Sequence, residues 1–261
     1  MHKVLSLIIE SKKKRIEVLK KNIEALESLA KNASEPNSFK SAIKRKNKIS
    51  LIAEMKQASP SKGILRKDFS PTELTKIFDK CKVNAISVIT EEDFFLGKNS
   101  YIEEVKKETT TPVLKKDFIL DKTQILEARA IGADAILLII GILDFEKAKE
   151  LYEFAKGLGL DVLTEVSTEK ELRRALKIGA DIIGINNRNL HTLKVDIERS
   201  KKLLPFIPEG VVQVSESGIK SLKDVLVLKG LGVDAILVGH AFMESDDIEK
   251  KIRELNVDMD K

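Results

Sequence analysis

Cysteine occurs once, at Cys81, and tryptophan not at all. A lone cysteine excludes a disulfide framework and a cysteine-based metal site, and makes the cytoplasm the default compartment. The three histidines, His2, His191 and His240, lie far apart and match no metal-ligand spacing, so neither a metal nor an organic cofactor is expected. No apolar run approaches the ~18 residues that a membrane-spanning helix needs, so no membrane partner is expected. The run at residues 4–9 is too short, and it precedes its basic cluster (Lys12 to Arg15), the reverse of a secretory signal. Aromatic residues make up only 5% of the chain, which argues against a nucleic-acid partner. Glycine and proline are missing from residues 3–30, whose apolar positions (Val4, Leu7, Ile8, Ile16, Leu19, Ile23, Leu26) suit one or two helices.

What is present is charge and repetition. A chain of 261 residues with 43% hydrophobic and 33% charged residues reads as soluble and globular, with room for a sizeable core. Its net charge of +5 is concentrated: residues 1–48 hold 13 Lys and Arg against 5 Glu, and the rest holds 33 basic against 36 acidic residues. Because these basic residues fall at helical spacings among glutamates, they are read as a solvated helical face.

From residue 49 onward, short runs rich in Val, Ile and Leu recur at 49–56, 85–90, 112–118, 135–141, 161–166, 182–187, 211–217 and 235–241, separated by helical stretches. "IGADAILLI" (131–139), "IGADIIGIN" (178–186) and "LGVDAILVG" (231–239) echo one another as helix end, Gly, turn Asp and apolar strand. Apolar strands alternating with helices imply a parallel sheet covered by helices. Eight such units predict a closed (β/α)8 TIM barrel with an N-terminal helical extension. An open doubly wound sheet is the alternative, but no strand is followed by GxGxxG or GxxxxGK[ST]. The expected organisation is one domain: extension 1–48, barrel core 49–244, and a C-terminal helix and tail 245–261.

In "LIAEMKQASPSKG" (51–63), strand alternation points Glu54 and Lys56 the same way as Ile52, into the place a core should occupy. A barrel resolves this, because its mouth lies at the C-terminal strand ends. Those ends carry Glu54 and Lys56 on the first strand, Thr90 on the second, Lys116 on the third and Glu165 on the fifth. The sixth adds Asn186 and Arg188, the seventh Glu216 and Ser217, and the eighth Gly239, while the fourth ends apolar. Charges in a partly dry cavity cost several kcal/mol each unless paired or hydrated. A mouth shared by two lysines and three glutamates therefore reads as built for proton transfer. On the third strand, parity does not choose between Lys115 and Lys116; Lys115 can snorkel from the outer face. "SESGIKS" and "VGHAF" place Gly218 and Gly239 beside helix starts after the seventh and eighth strands, where such barrels often bind phosphate. Cys81, at a helix end, reads as a packing residue.

The motifs "LIAEMKQASPSKG", "SVITEEDFFLG", "PVLKKDFIL", "GINNRNLHTLKVD" and "VSESGIKS" closely resemble the indole-3-glycerol phosphate synthase family, in order and to about residue 244. The resemblance implies a carboxy-lyase of tryptophan biosynthesis. It would convert 1-(2-carboxyphenylamino)-1-deoxyribulose 5-phosphate to indole-3-glycerol phosphate with loss of carbon dioxide and water. By resemblance, Lys116 is the general acid at the substrate's ketone, and Glu54 and Glu165 are the catalytic carboxylates. Lys56 matches the lysine near the substrate carboxylate. Asn186, Arg188, Glu216 and Ser217 match positions that hold the substrate and the catalytic groups. Ser59, in the first motif, is taken as a further substrate contact. Phe95, Phe118, Leu137 and Leu190 match the apolar wall around the anthranilate ring, and the N-terminal helices match an extension over the mouth. Lys56 and Lys116 can lower each other's pKa, with the glutamates opposing.

One departure is visible. After the eighth strand the family commonly shows a small or acidic residue and then Ser, whereas "VGHAFM" places His240 and Ala241 there. Phosphate contact at that point falls to backbone N–H groups and to His240. The expected partner is a phosphorylated small molecule; association with other tryptophan-pathway enzymes is left open. Two rivals stand beside this reading: a sugar-phosphate isomerase on the same barrel, and a non-catalytic phosphate-ligand or nucleic-acid binder. The first has no evident need for the Glu54–Lys56 pair plus Lys116, and the second gives no reason for the buried-looking carboxylates.

Overall fold

A computed structural model describes residues 3–189 and 194–258. Eight parallel strands form its centre: β1 (Ser50–Met55), β2 (Ala85–Ile89), β3 (Val113–Lys116), β4 (Ala135–Ile139), β5 (Asp161–Val166), β6 (Ile182–Asn186), β7 (Val212–Glu216) and β8 (Ala235–Val238). Each falls inside an apolar run identified in the sequence. Every strand pairs with its neighbours in chain order, and β1 pairs with β8 to close the barrel, which excludes the open sheet.

Alternation sorts the side chains as the pleat requires. Ala53 and Met55 of β1 join the outer core between sheet and helices, while Ile52 joins Ala85, Leu114, Ala135, Leu163 and Val214 inside the barrel. Among the described residues, no helix is long and apolar enough to cross a membrane.

The first 48 residues contribute three helices: α1 (Lys3–Lys20), α2 (Ile23–Asn32) and α3 (Phe39–Ile43). Helix α3 seals the N-terminal end of the barrel with Phe39 and Ile43, both fully buried in the inner core. The turn aspartates of the sequence echo hold this end together. Val113 N donates to Asp134 Oδ2 at 2.7 Å and Gln213 N to Asp234 Oδ2 at 2.8 Å, each tying one strand's start to the next turn. From α3, Lys40 Nζ reaches Asp181 at 2.9 Å and Lys44 Nζ reaches Asp234 at 3.0 Å. The echo's glycines, Gly132, Gly179 and Gly232, sit at φ of 84°, 84° and 82°, the left-handed conformation that ends the preceding helix. Helix α2 runs along the barrel wall against the helix Lys122–Ala130. There the Arg129 guanidinium donates to the carbonyls of Ser34 at 2.6 Å and Ala33 at 3.1 Å.

Candidate active site

The C-terminal strand ends surround a cavity of ≈ 180 Å³. Fourteen of the sixteen site residues expected from the sequence line it: Glu54, Lys56, Ser59, Phe95, Lys116, Phe118, Leu137, Glu165, Asn186, Arg188, Ser217, Gly218, Gly239 and His240. Glu216 does not reach the wall. It is fully buried behind Lys116, and its Oε2 accepts from Lys116 Nζ at 2.7 Å. Leu190 lies outside the described residues.

Register explains why these groups meet. Ile89 pairs with Lys116, Ile139 with Glu165, and Asn186 with Glu216, so the charged residues share the last inward-facing level of the barrel. Room for two of the carboxylates comes from missing side chains. A Cβ on Gly184, one strand over from Glu165, would run into Glu216 Oε1, and a Cβ on Gly239 would lie 2.5 Å from Glu54 Oε1. Neither glycine has an unusual φ; space, rather than conformational freedom, calls for them.

The charges form one chain. Glu54 accepts from Lys56 Nζ at 2.5 Å through Oε1 and sits 3.5 Å from Lys116 Nζ through Oε2; Lys116 continues to Glu216. Burial alone would push the Glu54 carboxyl up, but Lys56 and Lys116 overcome it and hold Glu54 below the usual carboxylate range. The expectation that the lysines would lower each other's pKa is not met at Lys116. Burial acts downward, yet Glu216, Glu54 and Glu165 together hold Lys116 above its ordinary value, so it is a firmly protonated ammonium. Glu165 behaves oppositely. Burial and the charge of Glu216 push it up to about 7 against the pull of Lys116 and a hydrogen bond from Asn186. Its Oε1, like Glu216 Oε1, is buried without a hydrogen-bond partner.

One wall is apolar: Phe95 and Phe118, with ring centroids 6.4 Å apart, together with Leu137 and Ile139. The opposite rim is built by turns, with Ser217 and Gly218 in succession at φ of 67° and 86°. Asn187, fully buried, braces this rim, donating to Ser215 Oγ at 3.0 Å and the Ser217 carbonyl at 3.1 Å and accepting from Ser200 Oγ at 2.9 Å. His240, half-buried beside it, is driven down to about 4 by burial and by Lys56, and is neutral at physiological pH.

Lys116 takes the inward position on β3. Lys115 faces outward but does not snorkel: it is fully buried, 3.1 Å from Glu127 and 3.6 Å from Asp117, and it hydrogen-bonds Asn99. The N-terminal helix also departs from expectation. Val4, Leu5 and Ile8 of α1 form part of the cavity wall, and Lys12, read as solvated, is 3% exposed with its ammonium 2.7 Å from Asp117. The sequence reading also missed Gly184, Asn187 and Asp117. Asp117 had a visible signal in its position between Lys116 and Phe118, and Asn187 stands beside Asn186 in "INNR".

Lysines and carboxylates alternating at the mouth of a closed barrel, between an apolar wall and a rim of backbone turns, define an acid–base enzyme of the (β/α)8 class. A family model described as indole-3-glycerol phosphate synthase matches residues 5–255, and the chain belongs to that family, the carboxy-lyases that close the indole ring in tryptophan biosynthesis. It is 49% identical to the indole-3-glycerol phosphate synthase of Caldanaerobacter subterraneus subsp. tengcongensis over 94% of both chains. Identity to that of Thermoanaerobacter sp. is 46% over 95% of both. Among solved structures, 3-hexulose-6-phosphate synthase from Salmonella typhimurium matches with a TM-score of 0.64 and 20% identity, over 80% of this chain and 97% of that one, a likeness of fold.

Proposed function

We propose that the cavity carries out this ring closure with Lys116 as the proton donor, on 1-(2-carboxyphenylamino)-1-deoxyribulose 5-phosphate. The carboxyphenyl ring rests against Phe95, Phe118 and Leu137, and the phosphate takes backbone N–H groups at Ser217–Gly218 and Gly239–His240. Holding the ring carbon that bears the carboxylate against the ketone carbon makes cyclisation a matter of positioning. As the carbon–carbon bond forms, Lys116 gives its proton to the ketone oxygen, leaving a hydroxyl. Carbon dioxide then departs, and its bonding electrons restore the aromatic ring. The apolar wall favours this step because it solvates the ionised carboxylate poorly.

Dehydration follows. Lys56, beside the leaving carboxylate, protonates the departing hydroxyl, and Glu165 takes a proton from the adjacent carbon as the second double bond of the new ring forms. A base held near 7 combines a deprotonated fraction at neutral pH with a strong affinity for the proton it removes. Asn186 and Arg188 hold the substrate and Glu165. Glu216 is a positioning residue that fixes the Lys116 ammonium from behind. The single cysteine supports the cytoplasm as the compartment.

The observation that carries the proposal is the Lys56–Glu54–Lys116–Glu216 chain facing an aromatic wall. The test is indole fluorescence, with no tryptophan background from the protein. Wild type should generate product without added metal, and Lys116→Met should reduce kcat by several orders of magnitude. Full activity in a folded Lys116→Met variant would remove Lys116 as the donor. A folded wild type that binds substrate and yields no indole would refute the reaction itself.

A further inference from the structure

We infer that Lys12 is a positioning residue for this reaction: with Asp117 it forms a buried latch that seats helix α1 as the roof over the cavity. Lys12 touches no reacting group. Its ammonium lies 2.7 Å and 3.0 Å from the two oxygens of Asp117, and 3.7 Å from Glu92. Both latch side chains are only 4% exposed, although they lie 105 residues apart in the chain.

Asp117 makes this more than a surface bridge. One of its oxygens accepts from the Phe118 amide at 2.8 Å, and the other accepts from the Thr90 hydroxyl at 2.9 Å. Lys115 approaches the same carboxylate from the outer face at 3.6 Å. Burial would push Asp117 up, but Lys115 and Lys12 outweigh it and keep the carboxyl ionised. The residue before it is the proposed donor and the residue after it is an aromatic wall residue. A single carboxylate thus joins roof, wall and the base of Lys116.

The roof spans two turns of α1 on the side of the latch toward the N-terminus. Val4, Leu5 and Ile8 enter the cavity wall, and further along, Arg15 pairs with Glu92 and Asp93, both at 2.9 Å. These residues set α1 against the cavity that Lys116 faces, so the seating of the helix bears on how firmly a bound substrate is held there. A buried charge that loses its partner is strongly destabilised, so the latch favours the closed position far more than an exposed pair would. Lys12 accordingly acts on substrate retention, and so on KM, rather than on the chemical step.

The inference rests on the proposed reaction only for its kinetic readout. The test compares full-length wild type, Lys12→Met and Lys12→Arg by hydrogen exchange without ligand and by steady-state kinetics. In Lys12→Met, amides of α1 should exchange at least tenfold faster with those of β1–β8 unchanged, KM should rise at least tenfold, and kcat should stay within threefold. Lys12→Arg, which keeps the charge, should recover most of the KM. Unchanged α1 exchange would overturn the latch, as would a KM within twofold of wild type or an equal loosening of α1 and barrel. Faster α1 exchange in Lys12→Met, with no product even from wild type, would support the latch and refute the reaction.

Discussion

Gly184→Ala adds one methyl group where there is no room for it. The new Cβ would overlap Glu216 Oε1, and it would lie 3.3 Å from that carboxyl carbon and 3.1 Å from Leu163 Cδ1. Glu216 cannot turn aside freely, because it is fully buried and its other oxygen holds Lys116 at 2.7 Å. Relief requires the carboxylate to retreat by about 1 Å, and the Lys116 ammonium to follow or to lose its partner. A displacement of that size at a reacting group costs about 10²-fold in rate. Overpacking should cost about 1–3 kcal/mol of stability, a fall of several degrees in Tm, which leaves the protein folded. The assay is kcat/KM by indole fluorescence beside a thermal melt, repeated in a Glu216→Ala background. If the methyl group acts through Glu216, the two substitutions should be far from additive, with Gly184→Ala adding little once the carboxylate is gone. A folded Gly184→Ala enzyme within threefold of wild-type kcat/KM would refute the steric reasoning, and additive losses would refute the route through Glu216.

Two further outcomes follow from the charge pattern. A base must be deprotonated to act, so log kcat/KM should climb with pH through about 7 as Glu165 ionises, and Glu165→Gln should abolish that limb and lower the rate by about 10²–10⁴-fold. At the opposite end of the barrel, the half-buried Asp181 is held below its ordinary range, where Lys40 and Lys156 overcome the upward push of burial. A depressed carboxyl contributes stability that is present above its unfolded value and lost as pH falls through the folded one. Asp181→Asn should therefore cost about 1.5 kcal/mol near pH 7. The difference in melting temperature from wild type should begin to shrink only as pH falls below about 4, closing once pH is below the depressed folded value.

The barrel was legible because its signals are local. Each strand declares itself as a short apolar run, and period-two alternation assigns Glu54 and Glu165 to the inside without knowledge of their neighbours, while on β3 it leaves Lys115 and Lys116 undecided. The motifs then supplied the roles. What stayed hidden depends on partners remote in the chain. Lys12 sits at helical spacing among other basic residues, and nothing nearby reveals that Asp117 will bury it. The environment of Lys115 is set by Glu127 of the next helix, which strand parity does not encode. Gly184 reads as an ordinary small residue in "IIGIN", since the carboxylate it makes room for belongs to the adjacent strand.

The plug at the base of the barrel sets a schedule for the ribosome. Phe39 and Ile43 are made early, but the inner core that covers them includes Ala235 and Leu237 of the last strand. Lys44 waits for Asp234, 190 residues later. At about 5–20 residues per second, that interval lasts roughly 10–40 s. Through it the nascent chain carries an apolar pair with no cavity to enter, in a segment rich in lysine that keeps it hydrated. Such a chain is best served by late closure, with the barrel's final strand arriving to a plug already in place.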